Sequence, residues 1–341
     1  MRIVTADAPL VDPQARIIDY LRVSVTDRCN YHCTYCVPSD GADRRPRDEL
    51  LAFEEIAALV RLFAGLGVRR VRLTGGEPLV RPELPALVSL LREIPGLEEI
   101  TLSTNGHLLG RWAAPLRAAG VARLNVSLDS LDPQTFHRVT RGGDLARVLA
   151  GLDAAAAAGF RSIKLNTVAI KGVNDGEIAA LCQFAWQRGF VPRFIEEMPM
   201  AAGRTYQVGS CLSAAEIRAA VAGLDPGGRI VEDDGGAARG GGPARYFRLA
   251  GTAAARRFGI ISPMTEHFCA GCNRLRLSAT GALHACLGHD DAVDLRAPLR
   301  TGDPEAVRAA IRRALAGKRP GHTFDLVGIG GPRKAMVQIG G

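Results

Sequence analysis

The chain has 341 residues and a formal net charge of +8, and its hydrophobic content of 47% is typical of a globular protein. This length suffices for one large domain or two ordinary ones. No apolar run is long enough to cross a membrane, and Met1–Leu10 lack the features of a signal peptide, so we expect a cytoplasmic protein without membrane contact.

The positive charge comes almost entirely from arginine, because lysine occurs only at positions 164, 171, 318 and 334. The sequence contains no block of five basic residues, and it has only five Tyr and two Trp for base stacking. We therefore expect no nucleic-acid partner. A basic balance suits an anionic small-molecule substrate equally well.

Strand-like runs alternate with helical stretches between residues 21 and 198. The predicted strands are Leu21–Val25, Val68–Leu73, Ile100–Thr104, Arg123–Leu128, Ser162–Ile170 and Pro192–Met198. The predicted helices are Phe53–Leu66, Glu83–Glu93, Leu108–Ala119, Leu145–Ala158 and Glu177–Arg188. Serial βα units indicate a parallel sheet covered by helices. The simplest closure is an α/β fold with a partial (β/α)6 barrel of the TIM type.

The predicted strands alternate between apolar and polar residues. One face carries Arg22 and Ser24, and the corresponding positions of later strands include Arg72, Ser103, Asn125, Ser127, Asp129, Lys164 and Asn166. Because the helices cover the apolar face, these side chains are predicted to point into the barrel. Such an interior suits a hydrophilic anion. The alternative is an antiparallel sheet with a solvated outer face, against which the intervening helices argue.

Three cysteines, Cys29, Cys33 and Cys36, follow the first predicted strand. A [4Fe–4S] cluster normally takes four thiolates, so three would leave one iron open to a ligand that is not protein. A zinc site completed by His32 is the alternative. Disulfides are not expected, because the eight cysteines occur in a chain without a secretion signal.

The second predicted strand ends in Thr74-Gly-Gly-Glu-Pro78. Two glycines at this point would bring the backbone close to a ligand. Backbone N–H and C=O groups, together with Glu77, could then hold an amino group of that ligand. Gly-Gly after a strand is more often a plain turn. Together with the C-x3-C-x2-C motif and the six βα units, however, the sequence resembles the radical S-adenosylmethionine (SAM) superfamily. That resemblance implies an open-iron cluster that chelates SAM and cleaves it to a 5′-deoxyadenosyl radical.

The chain changes character after residue 200. Ser213-Ala-Ala-Glu216 is a capping box that opens a helix, and residues 226–242 form a glycine-rich loop or hairpin. Strands are predicted at Tyr246–Leu249 and Phe258–Ile261, and a final helix at Glu305–Lys318. We therefore predict two domains: a barrel with an N-terminal extension over residues 1–200, and a smaller α+β domain over residues 201–341.

The second predicted domain contains another set of three cysteines, Cys269, Cys272 and Cys286. The alternative to a second open-iron cluster is a zinc site completed by His267, His284 or His289. Strand alternation places Arg274 and Arg276 on one face beside these cysteines. Two clusters that face one cavity would allow the second to bind the substrate.

Several longer motifs narrow the resemblance. They are Leu-Arg-Val-Ser-Val-Thr-Asp-Arg-Cys-Asn from residue 21, Arg-Leu-Thr-Gly-Gly-Glu-Pro-Leu, Asn-Val-Ser-Leu-Asp, Arg-Phe-Ile-Glu, Cys-x2-Cys-Asn-Arg-Leu-Arg-Leu-Ser and the terminal Ile-Gly-Gly. Nearly the whole chain thus resembles the molybdenum cofactor biosynthesis protein A family, the GTP 3′,8-cyclases. The resemblance implies a radical SAM lyase that converts GTP to (8S)-3′,8-cyclo-7,8-dihydroguanosine 5′-triphosphate with two [4Fe–4S] clusters.

The resemblance also implies residue roles. Cys29, Cys33 and Cys36 would hold the SAM cluster, and Cys269, Cys272 and Cys286 the substrate cluster. The residues implied to contact SAM are Tyr35, Gly76, Ser127 and Met198. Those implied to contact GTP are Arg22, Arg72, Ser103, Lys164, Arg274, Leu275 and Arg276, where Ser103 replaces the usual threonine. Catalytic contributions are implied for Arg274, Arg276, Gly340 and Gly341. The two glycines would enter the active site as the carboxyl-terminal tail.

The implied partners are GTP, an external electron donor and the next molybdopterin-pathway enzyme, for a monomer or homodimer. Two other functions remain open from the residues alone. One is a radical SAM enzyme that modifies peptides with an auxiliary cluster, and the other is a zinc-stabilised nucleic-acid-binding protein.

Overall fold

Six parallel strands in sequential order form the centre of the computed structural model, which describes residues 9–225, 227–233, 242–250 and 256–340. The strands are β1 Tyr20–Ser24, β2 Arg70–Thr74, β3 Glu99–Thr104, β4 Arg123–Ser127, β5 Ile163–Ala169 and β6 Val191–Glu196. The connecting helices are α1 Phe53–Gly65, α2 Leu84–Arg92, α3 Leu109–Ala119, α4 Pro133–Thr140, α5 Leu145–Ala157 and α6 Ile178–Gln187. The predicted α/β class with a partial TIM-type barrel is confirmed.

Amphipathic helices cover one face of this sheet. In α1, Ile56, Leu59 and Phe63 are fully buried against strand residues such as Leu21 and Val23, which are also inaccessible to solvent. Burial of side chains of this size stabilises the fold by roughly 1.5–3 kcal/mol each. The face opposite the helices is therefore left for the polar strand residues.

Helix α4 was absent from the prediction, as were two short helices near the carboxyl terminus. Helix α4 begins after Asp132, whose carboxylate accepts a hydrogen bond from the backbone N–H of Thr135 at 2.8 Å, and Pro133 occupies its first turn. Both are ordinary helix-start signals. The prediction missed this helix, which is only eight residues long.

The carboxyl-terminal part continues the same sheet at both edges. Its strands are β7 Arg229–Glu232, β8 Arg245–Ala250, β9 Arg257–Ile261, β10 Arg274–Leu277, β11 Ala282–His284 and β12 Val293–Asp294. Strand β9 pairs in parallel with β6, and β10 pairs in parallel with β1. Antiparallel hairpins then extend each edge, which gives the order β12-β11-β10-β1-β2-β3-β4-β5-β6-β9-β8-β7.

This pairing changes how the two predicted domains are related. The smaller α+β unit was expected to pack on the barrel, whereas its strands β9 and β10 are hydrogen-bonded to the barrel strands themselves. The division at residue 200 remains a prediction. The remaining helices are α7 Ala214–Ala222, α8 Arg296–Arg300, α9 Pro304–Ala316 and α10 Met336–Ile339.

The predicted capping box of α7 is present, since Ser213 and Glu216 exchange side-chain-to-backbone hydrogen bonds. In the glycine-rich segment, β7 pairs with β8 as a hairpin, and residues 234–241 lie outside the described part of the chain. Among the described helices, none is both long and apolar enough to cross a membrane.

Candidate functional site

Both sets of three cysteines line one cavity on the inner face of the sheet. Its wall includes Cys29, Cys33, Cys36, Cys269, Cys272 and Cys286, and all six thiols are free. Within each set the thiols are close enough to affect one another's pKa. Three free thiols in each set are donors of the type that iron–sulfur clusters take. The residues present therefore fit two cluster sites.

The first cysteine set lies in a loop that α4 supports. The backbone N–H groups of His32 and Thr34 donate to the carbonyls of Thr140 and Val139 at 3.1 and 2.9 Å. The thiol of Cys29 accepts a hydrogen bond from the N–H of Tyr31 at 3.3 Å. His32, the alternative zinc ligand, hydrogen-bonds Arg44 at the surface. The short helix α4 therefore orders the loop that carries the thiols.

Carboxylates lie close to this first set. Burial raises the pKa of Cys29 to about 11, and the charge of Glu77 adds to that rise. Burial likewise raises the pKa of Cys33, with further increases from Cys36 and Asp129. Burial also raises the pKa of Asp129 to about 6. The surroundings of the first set therefore favour positive charge in the cavity.

The Gly-Gly motif brings two loops together. A Cβ on Gly76 would lie 2.4 Å from the carbonyl oxygen of Arg28, so no other residue fits at this approach. Glu77 is 1% exposed, and its carboxylate accepts from the N–H groups of Leu79 and Asn105 and the hydroxyl of Thr104. Glu77 therefore holds this edge of the cavity together through three hydrogen bonds.

The residues implied to contact SAM lie on the same wall. Tyr35, Gly76, Ser127 and Met198 all line the cavity. The Tyr35 hydroxyl donates to Asp129 at 2.6 Å, and the other carboxylate oxygen of Asp129 accepts from the N–H of Val168 at 2.9 Å. Asp129 thereby links the first cysteine loop to the end of β5.

Cations surround the second cysteine set. Lys318 is 3% exposed, and its ammonium donates to the carbonyls of Ala285 and Arg274 at 2.6 and 3.1 Å and to the thiol of Cys272 at 3.5 Å. Burial opposes ionisation of Cys272, but Arg274 and Lys318 outweigh it and lower the pKa of this thiol to about 6. Cys272 is therefore largely a thiolate at neutral pH.

The amino-terminal hairpin also supports the second set. The Arg16 guanidinium donates to the carbonyls of Cys269, Arg319 and Pro320 at 2.7, 2.8 and 3.0 Å, and it forms an ion pair with Asp12 at 2.5 Å. This one side chain therefore joins the first residues of the described chain to the loop of Cys269.

The three histidines proposed as alternative zinc ligands differ in their surroundings. The ring of His267 lies near Cys269 and His322, and the ligand atoms of these three residues are within 4.8 Å of one another. His289 contacts the carbonyl of Gly321, and His284 is 1% exposed. Within the described part of the chain, the histidine nitrogens grouped with a thiol of the second set are therefore those of His267 and His322.

Three arginines form a row in the wall of the same cavity. Strand register places Arg276 of β10, Arg22 of β1 and Arg72 of β2 side by side. Burial lowers the pKa of Arg276 to about 10, and Arg274 adds to the effect, so the group stays charged at neutral pH. Together with Arg274, these side chains line the cavity and give its centre a strong positive charge.

The carboxyl-terminal tail enters this region. The Arg276 guanidinium donates to the carbonyl of Gly340 at 2.6 Å, and Ile339 is fully buried. A Cβ on Gly340, whose φ is +84°, would lie 2.8 Å from the Cβ of Ser24. Glycine is therefore required at 340 for both space and backbone conformation. Gly341 lies outside the described residues.

The structure brings most of the sequence-predicted site residues together, and their individual roles remain predictions. Among the described residues the exceptions are Lys164, Leu275 and Gly340, which do not line the cavity, although Gly340 contacts Arg276. Leu275 is fully buried in the hydrophobic core, so a substrate could reach only its backbone. Lys164 points to Tyr246, whose hydroxyl accepts its hydrogen bond at 2.8 Å.

Sequence reasoning missed several residues around the site: Arg16, Arg193, Tyr246 and Lys318. Arg193 begins the Arg-Phe-Ile-Glu motif and has apolar neighbours on both sides. Its place in a predicted strand could therefore have been used to predict that it faces the cavity. Contacts of Arg16 and Lys318 with the second cysteine loop span 253 and 46 residues of sequence, and no local pattern predicts them.

Comparison with known proteins places this cavity in a class. Residues 23–185 match the radical SAM superfamily, and residues 191–324 match the family described as Molybdenum Cofactor Synthesis C. The structure of Streptococcus suis SuiB bound to S-adenosylmethionine aligns with a TM-score of 0.56 at 14% identity, over 80% of this chain and 61% of that chain. That likeness shows the fold alone, which is the radical SAM fold.

Curated relatives specify the family. The GTP 3′,8-cyclase of Hydrogenovibrio crunogenus is 44% identical over 97% of this chain and 99% of its own length. GTP 3′,8-cyclase 1 of Pseudomonas aeruginosa is 48% identical over 93% of this chain and 95% of its own. The chain belongs to the GTP 3′,8-cyclase family, which confirms the family predicted from the sequence.

Proposed function

We propose that this protein is a GTP 3′,8-cyclase, a radical SAM lyase of molybdenum cofactor biosynthesis. The observation that carries the proposal is one cavity lined by a row of arginines and by two sets of three free cysteines. Relatives named GTP 3′,8-cyclase, at 44% and 48% identity over nearly the full chain, support it.

The enzyme takes two [4Fe–4S] clusters and SAM. We assign Cys29, Cys33 and Cys36 to the cluster that binds SAM, and Cys269, Cys272 and Cys286 to the one that faces the substrate. When bound, the first cluster and SAM would supply the radical chemistry by which C3′ of the ribose is joined to C8 of guanine. Tyr35, Gly76, Ser127 and Met198 would hold SAM on the side of the cavity where carboxylates lie.

The protein's own contribution to the substrate is charge and orientation. Arg22, Arg72 and Arg276 lie in one row and would neutralise the triphosphate, because the planar guanidinium matches phosphate oxygens. Ser103 lines the same cavity and supplies a hydroxyl. Lys164 would contribute to GTP binding although its side chain does not line the cavity. Leu275 would contact GTP through its backbone.

The tail would complete the site. Gly340 accepts a hydrogen bond from Arg276, so the tail can orient this guanidinium toward the reacting ribose and phosphates. Arg274 lies two residues before Arg276 on the same strand, and its guanidinium contacts the thiol of Cys272 in the second cysteine set. Gly341 would continue the tail into the cavity.

We also propose a cytoplasmic location, which the eight free cysteines support. An external electron donor would reduce the clusters. The product would pass to the next enzyme of the molybdopterin pathway, and the protein would act as a monomer or homodimer.

An anaerobic assay tests the function. Purified enzyme with reconstituted clusters is incubated with GTP, SAM and dithionite, and we expect 5′-deoxyadenosine and the 3′,8-cyclised nucleotide in equal amounts. Binding of GTP separates this function from peptide modification. Metal analysis separates it from a zinc-stabilised protein, since two clusters require about eight irons per chain. An iron-loaded enzyme that neither binds nor converts GTP would refute the proposal.

A further inference from the structure

A tyrosine from the carboxyl-terminal hairpin reaches the inner face of the barrel. Tyr246 of β8 lies opposite Gly259 of β9, which lies opposite Arg193 of β6. Arg193 in turn pairs with Asn166 of β5. Cross-strand partners project to the same side of a sheet, so the tyrosine ring shares a face with Arg193.

Gly259 leaves the space that the ring occupies. A Cβ at this position would lie 3.0 Å from Cε1 of Tyr246 and 3.0 Å from Cγ of Arg193. Any side chain here would separate the two residues or displace one of them. The glycine in the middle of a strand thus allows a contact across two strands.

The phenol oxygen joins two buried cations. The Lys164 ammonium donates to it at 2.8 Å, and the Arg193 guanidinium interacts with the same oxygen. Tyr246 is 7% exposed and Arg193 is 3% exposed. The other ring face meets Arg257 at 4.1 Å from the centroid, and Arg257 has its own ion pair with Asp233.

These two cations have neutral partners. Within the described part of the chain, the side-chain acceptors of Lys164 and Arg193 are the phenol and the amide oxygens of Asn125 and Asn166. Buried cations held by neutral groups are costly unless an anion completes the site. Arg193 lines the cavity, so that anion can arrive from the cavity side.

We propose that Tyr246 is a positioning residue for the phosphate chain of the nucleotide: it holds the Lys164 ammonium beside Arg193, which lines the cavity and can face the triphosphate. This inference rests on the proposed GTP 3′,8-cyclase function. Tyr246 acts through the two cations, so its loss weakens recognition of phosphate and leaves recognition of the nucleoside unchanged.

The test compares Tyr246→Phe with the wild-type holoenzyme. Phenylalanine keeps the ring against Arg257 and removes the oxygen. Dissociation constants for GTP and for guanosine are measured anaerobically by equilibrium dialysis. We expect GTP affinity to fall about tenfold, as for loss of one charged hydrogen bond, with guanosine affinity unchanged. Iron content and the dithionite-driven cleavage of SAM should stay at wild-type values.

Two further variants separate positioning from a general structural effect. Tyr206→Phe removes a half-buried hydroxyl that contacts the carbonyl of Leu326 at 3.4 Å, and it should change neither affinity. Gly259→Ala keeps the phenol but displaces the ring, so it should weaken GTP binding in the same selective way. In a double-mutant cycle with Lys164→Met, the effects of Tyr246→Phe should be less than additive.

Each other result contradicts the assignment. Unchanged or tighter GTP binding by Tyr246→Phe overturns it, and so does an equal loss for GTP and guanosine, which would indicate a structural role. These outcomes are distinct from failure of the proposed function, because that failure appears in the wild-type enzyme as absence of GTP binding and conversion.

Discussion

The two cysteine loops have the same number of thiols but differ in the charged side chains beside them, although burial raises the pKa of a thiol in each, Cys29 in the first and Cys269 in the second. Around the first loop, burial together with Glu77 and Asp129 raises the pKa of Cys29 and Cys33. Around the second, Arg274 and Lys318 lower the pKa of Cys272 to about 6, despite its burial. The two sides of one cavity therefore favour ligands of opposite charge.

This difference supports the proposed assignment of the two sides to SAM and GTP. SAM carries a sulfonium and an ammonium group, which suit the side with carboxylates. A triphosphate suits the side with Arg274, Arg276 and Lys318, and the row of Arg22 and Arg72 extends that side toward the centre. Under the proposed assignment, this polarity would favour SAM on one side of the cavity and the triphosphate on the other.

The largest effect is expected when each thiol set is broken in turn. Cys33→Ala and Cys272→Ala should each lose about half of the iron, because each removes one ligand of one cluster. Cys33→Ala should abolish SAM cleavage, whereas Cys272→Ala should retain it and lose conversion of GTP. Iron analysis and the yield of 5′-deoxyadenosine measure the two effects.

Cys211→Ala is the matched control, since Cys211 is half-buried outside both sets and does not line the cavity. It should keep full iron content and activity. Loss of SAM cleavage in Cys272→Ala, at normal occupancy of the first cluster, would contradict the division of labour between the loops.

The next effect concerns Arg276 on the cationic side. Arg276→Ala should weaken GTP binding by about 2 kcal/mol, or roughly thirtyfold, because it removes a charged hydrogen-bond donor from a buried site.

Deletion of Gly340 and Gly341 should lower turnover less than Arg276→Ala does and leave the iron content intact. Since Arg276 donates to Gly340, combining the changes should give less than the sum of their effects. Full activity of the truncated enzyme would exclude a role for the tail.

A smaller effect is expected at Lys318. Lys318→Met keeps the aliphatic stem but leaves the carbonyls of Ala285 and Arg274 without a donor, at a cost of about 1–3 kcal/mol. We expect slower assembly of the second cluster, a changed spectroscopic signature of that cluster alone, and a lower Tm of the holoenzyme. Lys171→Met provides the control, because Lys171 is exposed and forms a surface ion pair with Glu216 at 2.8 Å. Identical electron paramagnetic resonance spectra for Lys318→Met and wild type would contradict the expectation.

The sequence predicted the local features of the fold well and the long-range ones poorly. Strand alternation placed Arg22, Arg72 and Ser103 toward the interior, where they line the cavity. It could not show that β9 and β10 join the barrel sheet, because parallel pairing of distant strands has no local signal. For the same reason, Tyr246 was assigned to a strand without any contact to Lys164. The alternation rule also cannot detect the role of Gly259, because this glycine acts by leaving space between the side chains of Tyr246 and Arg193.

The smallest effect is a pH dependence at the pair of Lys164 and Tyr246. Burial raises the pKa of Tyr246, but Arg193 and Lys164 outweigh it and lower the value to about 8. Burial and Arg193 lower the pKa of Lys164. The two groups share one hydrogen bond, so they titrate as a pair, and loss of either proton removes one positive charge from the site.

The sign of the effect follows from that charge. The groups that face the pair are Arg193, Arg257 and Arg72, whose side chains are guanidinium groups, so we attribute the change of charge to the pair. GTP binds the protonated pair better, and the KM for GTP should therefore rise as pH increases through about 8. One charge near a phosphate contributes about 1 kcal/mol in a hydrated site, which corresponds to roughly fivefold between pH 7 and 9. The double variant Lys164→Met with Tyr246→Phe should show a flat profile over this range. A rise of the same size in the double variant would place the titrating group elsewhere in the cavity.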